Sequence, residues 1–397
     1  MFNGCIALTD VCDLPASAIG TYSYTNMFNG CISLINAPQL SANIIGNGGC
    51  LQMFLNCTSL TTPPFSIPAI SVDSNGCLQM FQGCTSLTAV PLLPATTLSS
   101  NAYFGMFSGC TSLVSAAIEL PATNLSGNFN YQFMFGGCTN LTTPPSVISS
   151  AGAYGCCFGM FSGCIALTSA PLLPATTLAY DCYDWMFGGC TSLTDAPILP
   201  ATGLVATCYN CMFQGCTSLT SINVNFTEWD YSSTGGWVGN VAPTGVFYKP
   251  DELNAVYSVS NIPSGWRVVT NQPLTFVATD SANAISLNTI GEPNEITLKY
   301  KVNNNDWADY TLDEIIELDQ NDIISFSGAN DHFSSNDSNY YQFAMTGVLS
   351  ATGNIQSLMN YSDSCTNYCY FGLFSGCTAL TDGPKLEAGV LAANCYE

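Results

Sequence analysis

The segment Met-Phe-x-Gly/Asn-Cys returns along this chain, starting at Met1, Met27, Met53, Met80, Met106, Met134, Met160, Met186 and Met212. Successive starts lie 26, 26, 27, 26, 28, 26, 26 and 26 residues apart, and a relaxed copy, Leu-Phe-Ser-Gly-Cys, starts at Leu373. A fixed period of this length predicts a solenoid, in which each unit completes its core only by stacking on its neighbours. It also predicts a surface in place of a catalytic pocket. Coils stacked at about 4.8 Å would make nine of them a rod on the order of 40 Å long.

The unit reads physically from residues 178–204. Leu178, Cys182 and Met186 follow i, i+4, i+8, with Tyr183 and Phe187 beside them. That spacing predicts one apolar face of a short helix, stopped by Gly189. Leu193, Ala196 and Leu199 are inward candidates of a short strand ended by Pro197 and Pro200. The expected fold class is therefore an α/β repeat, one short strand and one short helix per coil. Its strands should join in a continuous parallel sheet with right-handed crossovers.

Charge is uneven. The 397 residues carry a net charge of −22, with 27 acidic and five basic side chains. Residues 1–226 hold seven acidic residues and no Lys or Arg. Such a chain lacks the clustered cations that phosphate binding needs, which excludes nucleic acid as an expected partner and disfavours anionic lipid. No apolar run reaches the roughly 18 residues of a transmembrane helix. Met1 belongs to a repeat, so no signal peptide is read there. The chain starts and stops within repeats, at Met1 and at Cys395-Tyr396-Glu397. We expect a piece of a longer protein, with any export signal or anchor outside it.

Ten of the 21 cysteines form one column: Cys5, Cys31, Cys57, Cys84, Cys110, Cys138, Cys164, Cys190, Cys216 and Cys377. Repetition at one place in every coil predicts a buried, reduced thiol ladder, with free Cys packing as a small hydrophobe. A second slot, three before Met, alternates Tyr24, Cys50, Cys77, Tyr103, Tyr131, Cys157, Tyr183 and Tyr209. Changing core bulk accounts for it, and a Cys50–Cys77 crosslink is the alternative. Cys156, Cys182 and Cys208 fill the slot before that one. Cys208 and Cys211 have redox spacing but lie inside a repeat. No zinc knuckle occurs, and His332 is the one histidine.

Beyond the array, residues 227–270 read as a cap, with Trp229, Trp237, Phe247 and Trp266 gathered where a solenoid end needs covering. A tryptophan platform for carbohydrate is the alternative there. Pro250–Leu253 reads as a helix start. Residues 271–350 read as a small β-sandwich-like module, with strand-like runs at 274–278, 284–287, 296–302 and 323–326. Asn303–Asp309 and Asp331–Asp337 are rich in Asp and Asn, as calcium loops are, without EF-hand spacing. Residues 351–397 begin a second array, whose start the module could also seal. No cofactor, metal or catalytic set is expected: no phosphate loop, nucleophile elbow or carboxylate pair stands out.

The unit MFxGCTSLTxAPxLPATTL, closest in Met80–Leu98, Met160–Leu178 and Met186–Leu204, resembles the BspA-like (Treponema pallidum type) leucine-rich repeats of bacterial surface proteins of gut and mouth. The resemblance covers residues 1–226 and 351–397. Asn56, Leu373 and Phe65-Ser66-Ile67 depart from the pattern. It implies a right-handed leucine-rich-repeat solenoid with an inserted small all-β module, an extracellular or cell-surface location, adhesion to host or bacterial surface protein or glycan, and no enzyme activity. Some phage and mobile-element proteins carry similar arrays, which leaves a ligand-free spacer or stalk as the alternative.

The expected binding residues come from variation within the repeat. Five past the repeat Leu stand Asp13, Gln39, Phe65, Leu92, Ile118, Ser146, Leu172, Ile198 and Val224. A slot that takes both charge and bulk is unlike a packed core. Asp13, Gln39, Phe65, Leu92, Ile118, Leu172 and Ile198 are the candidate ligand-binding column.

Overall fold

The structure, a computed structural model, describes every residue except 149–151, 251, 271–272, 304, 306, 331–332, 360–363, 366, 385, 387–389, 392–393 and 395–397. His332, Asp306, Asp331 and the 395–397 terminus therefore lie outside the described residues. The chain divides into two compact units, Met1–Val268 and Val269–Glu397.

The first unit is a parallel β-solenoid with almost no regular strand and, among its described residues, no helix. The expected helix is replaced by a run of overlapping turns. In the coil of Met80, the N–H groups of Gly76, Leu78, Met80, Gln82 and Cys84 each donate to the carbonyl three residues back, at 2.9–3.2 Å. The N–H groups between them, of Asn75, Cys77, Gln79, Phe81 and Gly83, donate instead to the next coil at 2.7–3.0 Å. A helix would spend all of these donors internally. Here half of them stitch the coils together.

Every fourth residue of this run has left-handed φ: Gly48, Gln52 and Asn56 in one coil, Asn75, Gln79 and Gly83 in the next, then Asn101, Gly105 and Gly109. Each is the third residue of a turn, the position of type II turns that demands φ > 0. Gly and Asn accept this backbone easily, and other L-residues at a cost of about 1–2 kcal/mol. A turn repeat of four residues also produces the i, i+4, i+8 pattern, so the periodicity was sound and its assignment to a helix was not.

Three ladders of short parallel pairing run along the remaining faces. One holds β1 (Ile44–Ile45), β2 (Ser71–Val72), β3 (Thr97–Leu98) and β4 (Asn124–Leu125), paired in sequence order. A second is made of single bridges such as Asn36–Thr62, Ser115–Thr143 and Ser169–Asp195–Ser221. The third holds Leu14–Leu40, Ser66–Leu92, Val147–Leu172 and Leu199–Val224. Pairing between coils is parallel throughout these ladders. One continuous sheet does not form, because turns and prolines limit each coil to two or three extended residues at a time.

The motif residues fill the interior. Phe28, Phe54, Phe81, Phe107, Phe135, Phe161, Phe187 and Phe213 are fully buried and stack coil on coil, with centroids 5.3–5.8 Å apart in nearly parallel planes. Ladder cysteines from Cys31 to Cys216 are buried thiols. Each donates its S–H to the Phe carbonyl of the preceding coil; Cys57 reaches Phe28 O at 3.0 Å and Cys110 reaches Phe81 O at 3.2 Å. Burial pushes the Cys57, Cys138 and Cys216 thiols up to about 12. Cys5 is exposed, and Cys377 is half-buried. The CTSLT threonines add surface ladders: Thr88 and Thr220 hydroxyls donate to the carbonyls of Thr61 and Thr194, each at 3.3 Å.

The coil pattern outlasts its sequence signature. Residues 231–240 form a further turn run, with left-handed Gly236 and Asn240. Trp237 takes the Phe position, 6.1 Å from the Phe213 ring. β5 (Ser221–Asn223), β6 (Val246–Lys249) and β7 (Arg267–Thr270) form one small sheet, and Trp237, Phe247 and Trp266 are buried beneath it. The helix start read at 250–253 does not form among its described residues; Leu253 is a buried core residue on a turn.

In the second unit, β8 (Leu274–Ala278), β10 (Leu298–Val302), β11 (Ala308–Asp309), β13 (Ile323–Gly328) and β15 (Leu349–Thr352) form a sheet ordered β11-β10-β13-β8-β15. β9 (Asn283–Ile290), β12 (Ile316–Leu318) and β14 (Tyr340–Thr346) form another, ordered β12-β9-β14. All these pairs are antiparallel. Phe343 from one sheet meets Phe276 and Phe326 from the other, at 5.2 and 5.3 Å. A 3-10 turn at Ile355–Leu358 and the short pair β16 (Ser364–Cys365) and β17 (Val390–Leu391) follow.

The repeat at Leu373 is seated on β14 as a coil is seated on its predecessor. Phe374 stacks on Phe343 at 5.7 Å, and Cys377 donates its S–H to Phe343 O at 3.0 Å. Strand β14 thus reproduces the Phe-and-carbonyl template of an array coil.

Candidate functional site

Side chains alternate in and out where a coil is extended. Leu92 points out beside buried Leu93, Leu172 beside buried Leu173, and Ile198 beside buried Leu199. Exposure is 77% for Phe65, 50% for Leu92, 63% for Leu172 and 41% for Ile198. Asp13 and Gln39 are exposed as well. Parallel bridges at or beside these residues hold the column on a rigid ladder.

Ile118 does not belong to the outer surface. It is 9% exposed and part of the core. The coil of Met106 has one more residue between its repeat Leu and its Pro-Ala-Thr turn than the coil of Met80 has. One residue reverses the facing of an extended side chain, so Glu119 takes the outward position. Val224 is also buried, opposite Leu199. The column is consequently two apolar pairs, Phe65 with Leu92 and Leu172 with Ile198, separated by exposed Glu119 and Ser146.

Asp13 and Gln39 have a structural task. Asp13 Oδ1 accepts from Gln39 N at 2.8 Å, and Gln39 Oε1 accepts from Phe65 N at 2.9 Å. Their side chains satisfy backbone donors of the following coil. From there the backbone takes over: Leu92 N donates to Phe65 O at 3.1 Å and Ile67 N to Leu92 O at 3.0 Å.

The other sequence candidates are placed as follows. Trp237 and Trp266 are buried, so a three-tryptophan platform does not exist; half-buried Trp229 donates its indole N–H to Asn254 O at 2.7 Å. Cys208 is buried, whereas Cys211 is half-buried and rests on Gly235 O. Asn303 bridges Asp322 and the Ile323 N–H, and Asn336 bonds within its own turn. Among the described residues no group of three metal-ligating side chains occurs, and no helix is long and apolar enough to cross a membrane.

Sequence reasoning passed over Asp184. It is 6% exposed on the turn run, with the Asn210 side-chain amide donating to both its oxygens at 3.2 and 3.3 Å. Burial, opposed by the Asn210 bonds and aided by nearby Asp181, raises its carboxyl to about 6. The folded state then binds this proton more tightly than the unfolded chain, so stability falls as pH rises from about 4 to about 6. Asp184→Asn should remove that slope. At pH 7 it should stabilise by on the order of 2 kcal/mol after discounting for solvent screening. Denaturation midpoints of both proteins at pH 4.5 and 7 measure this; equal pH slopes would rule it out.

Two solved structures are similar to this chain. A leucine rich cell surface protein from Faecalibacterium prausnitzii A2-165 is 18% identical over 56% of this chain and 67% of its own, with a TM-score of 0.28. A leucine-rich repeat protein from Bacteroides ovatus ATCC 8483 is 17% identical over 67% of this chain and 85% of its own, with a TM-score of 0.27. No family model matches the sequence, and no curated protein matches it.

Proposed function

We propose that the chain is a BspA-like recognition module of an extracellular or cell-surface protein, binding a host or bacterial surface protein or glycan. Residues 1–226 act as a right-handed array, residues 227–270 cap it, and residues 271–350 form an inserted module before a second array begins at 351–397. The role is adhesive and not enzymatic, with no cofactor, nucleic-acid partner or membrane insertion in this piece.

The observation that carries this reading is the pair of outward apolar patches, Phe65–Leu92 and Leu172–Ile198, separated by exposed Glu119 and Ser146. Neighbouring apolar side chains on a rigid ladder can be desolvated together by a partner. Glu119 and Ser146 between them, with Asp13 and Gln39 at one end, supply polar contacts. Ile118 has no direct part in this surface.

The test is a Phe65→Ser, Leu92→Ser, Leu172→Ser and Ile198→Ser variant. Its melting temperature should stay within a few degrees of the parent, because the lost side chains are exposed. Adherence to host-cell or matrix preparations should fall at least about tenfold, as loss of central apolar anchors does. Unchanged adherence in the folded variant would favour the spacer or stalk reading.

A further inference from the structure

Cys50 and Cys77 occupy the same interior slot in adjacent coils. Four residues on in the same coils, Phe54 and Phe81 stack at 5.3 Å, and seven on, Cys57 and Cys84 continue the thiol ladder. The backbone register is fixed on both sides: Cys50 N donates to Gly76 O at 2.7 Å, and Gln52 N to Leu78 O at 2.9 Å. Both thiols are fully buried and reduced in this structure, on directly neighbouring coils.

The ladder cysteines are differently placed. Ladder thiols donate to Phe carbonyls of the preceding coil. Where Cys77 meets the next coil, and on both sides of Cys157, the slot is filled by tyrosine. Among the described residues no carbonyl accepts from the thiol of Cys50 or of Cys77. They are thus two buried thiols at one register of neighbouring coils, with chemistry suited to a covalent link.

We propose that Cys50 and Cys77 form an inter-coil disulfide when the protein folds in an oxidising medium. Each thiol loses its proton, the Sγ–Sγ bond forms, and the two electrons pass to an external small-molecule disulfide of the glutathione type, whose own S–S bond breaks to give two thiols. The exchange needs a solvated thiolate, and burial disfavours that form. It therefore occurs before the two coils dock, and closure then hides the bond from reductants. The link joins the two coils that carry Phe65 and Leu92, so it fixes the spacing of that outward pair.

The protein is unfolded, reduced, and refolded in a mixture of reduced and oxidised glutathione. It is then digested without reduction and its peptides identified by mass. A Cys50–Cys77 peptide is expected, with ladder cysteines recovered as thiols. The melting midpoint should drop by on the order of 5–10 °C when the same sample is refolded with reductant alone. Cys50→Ser and Cys77→Ser should each abolish both the peptide and the shift. Recovery of Cys50 and Cys77 as thiols while exposed Cys5 and Cys12 have become mixed disulfides would overturn the proposal. So would a Cys156–Cys182 link in its place. The wild-type peptide map decides the matter even if a variant folds poorly.

Discussion

Phe107→Ala should lower the stability of the array by about 3–5 kcal/mol, the range for emptying a fully buried aromatic site. Phe107 is sandwiched between Phe81 at 5.5 Å and Phe135 at 5.6 Å, so truncation opens two coil interfaces at once. In a one-dimensional stack such a loss weakens coupling between the segments on either side. Chemical denaturation should show a lower midpoint and a broader or split transition. Leu92→Ala, at an exposed position of an adjacent coil, serves as the control and should change the midpoint little. A loss under about 1 kcal/mol for Phe107→Ala would mean that the stacked phenylalanines are not the core they appear in cross-section to be.

Gly245→Val attacks the stack from its far end. A Cβ at residue 245 would lie 2.5 Å from Thr220 O and 2.7 Å from the Trp266 ring. The first obstacle is backbone, held by the Val246 N–H bond to Thr220 O at 2.8 Å, and cannot swing aside. Relief requires β6 to separate from β5, which disturbs the covering over Trp237 and Phe247. Overpacking of this kind should cost about 3 kcal/mol. Limited proteolysis should then cut first within residues 227–270. A protease pattern and midpoint unchanged from the parent would show that β6 is not what closes this end.

The periodicity made the stacking, the inward Phe and Leu columns and the thiol ladder legible from sequence. Strands β8, β9, β10 and β13 were legible through their β-branched, aliphatic and aromatic runs, while β14 and the short β12 and β15 were not. The helix was misread because its apolar spacing is shared by a four-residue turn repeat. The distinguishing signal was present: Asn75 and Gly83, Asn101, Gly105 and Gly109, and Gly155, Gly159 and Gly163 place residues tolerant of left-handed φ at every fourth position. Ile118 was misplaced because residues were counted forward from Leu113 across an insertion. Counting back from the Pro-Ala-Thr turn brings Glu119 to the outward slot. Trp237 was read as a cap aromatic and not as the Phe position of a further coil, because no Met precedes it, although Gly235, Gly236 and Gly239 surround it.

The division of donors within the turn run, alternately to the same coil and to the next, has a bearing on how such a chain lengthens over generations. Every coil offers its neighbour the same set of acceptors, so a duplicated stretch of DNA encoding one period would insert a coil that fits both neighbours without further adjustment. Extra residues in the coils of Met53 and Met106 fall after the repeat Leu, away from the Phe-x-Gly/Asn-Cys turn, and leave the phase of the turn column intact. Copy number and outward-facing residues can therefore drift separately: recombination changes the reach of the array, while point substitution changes what it presents.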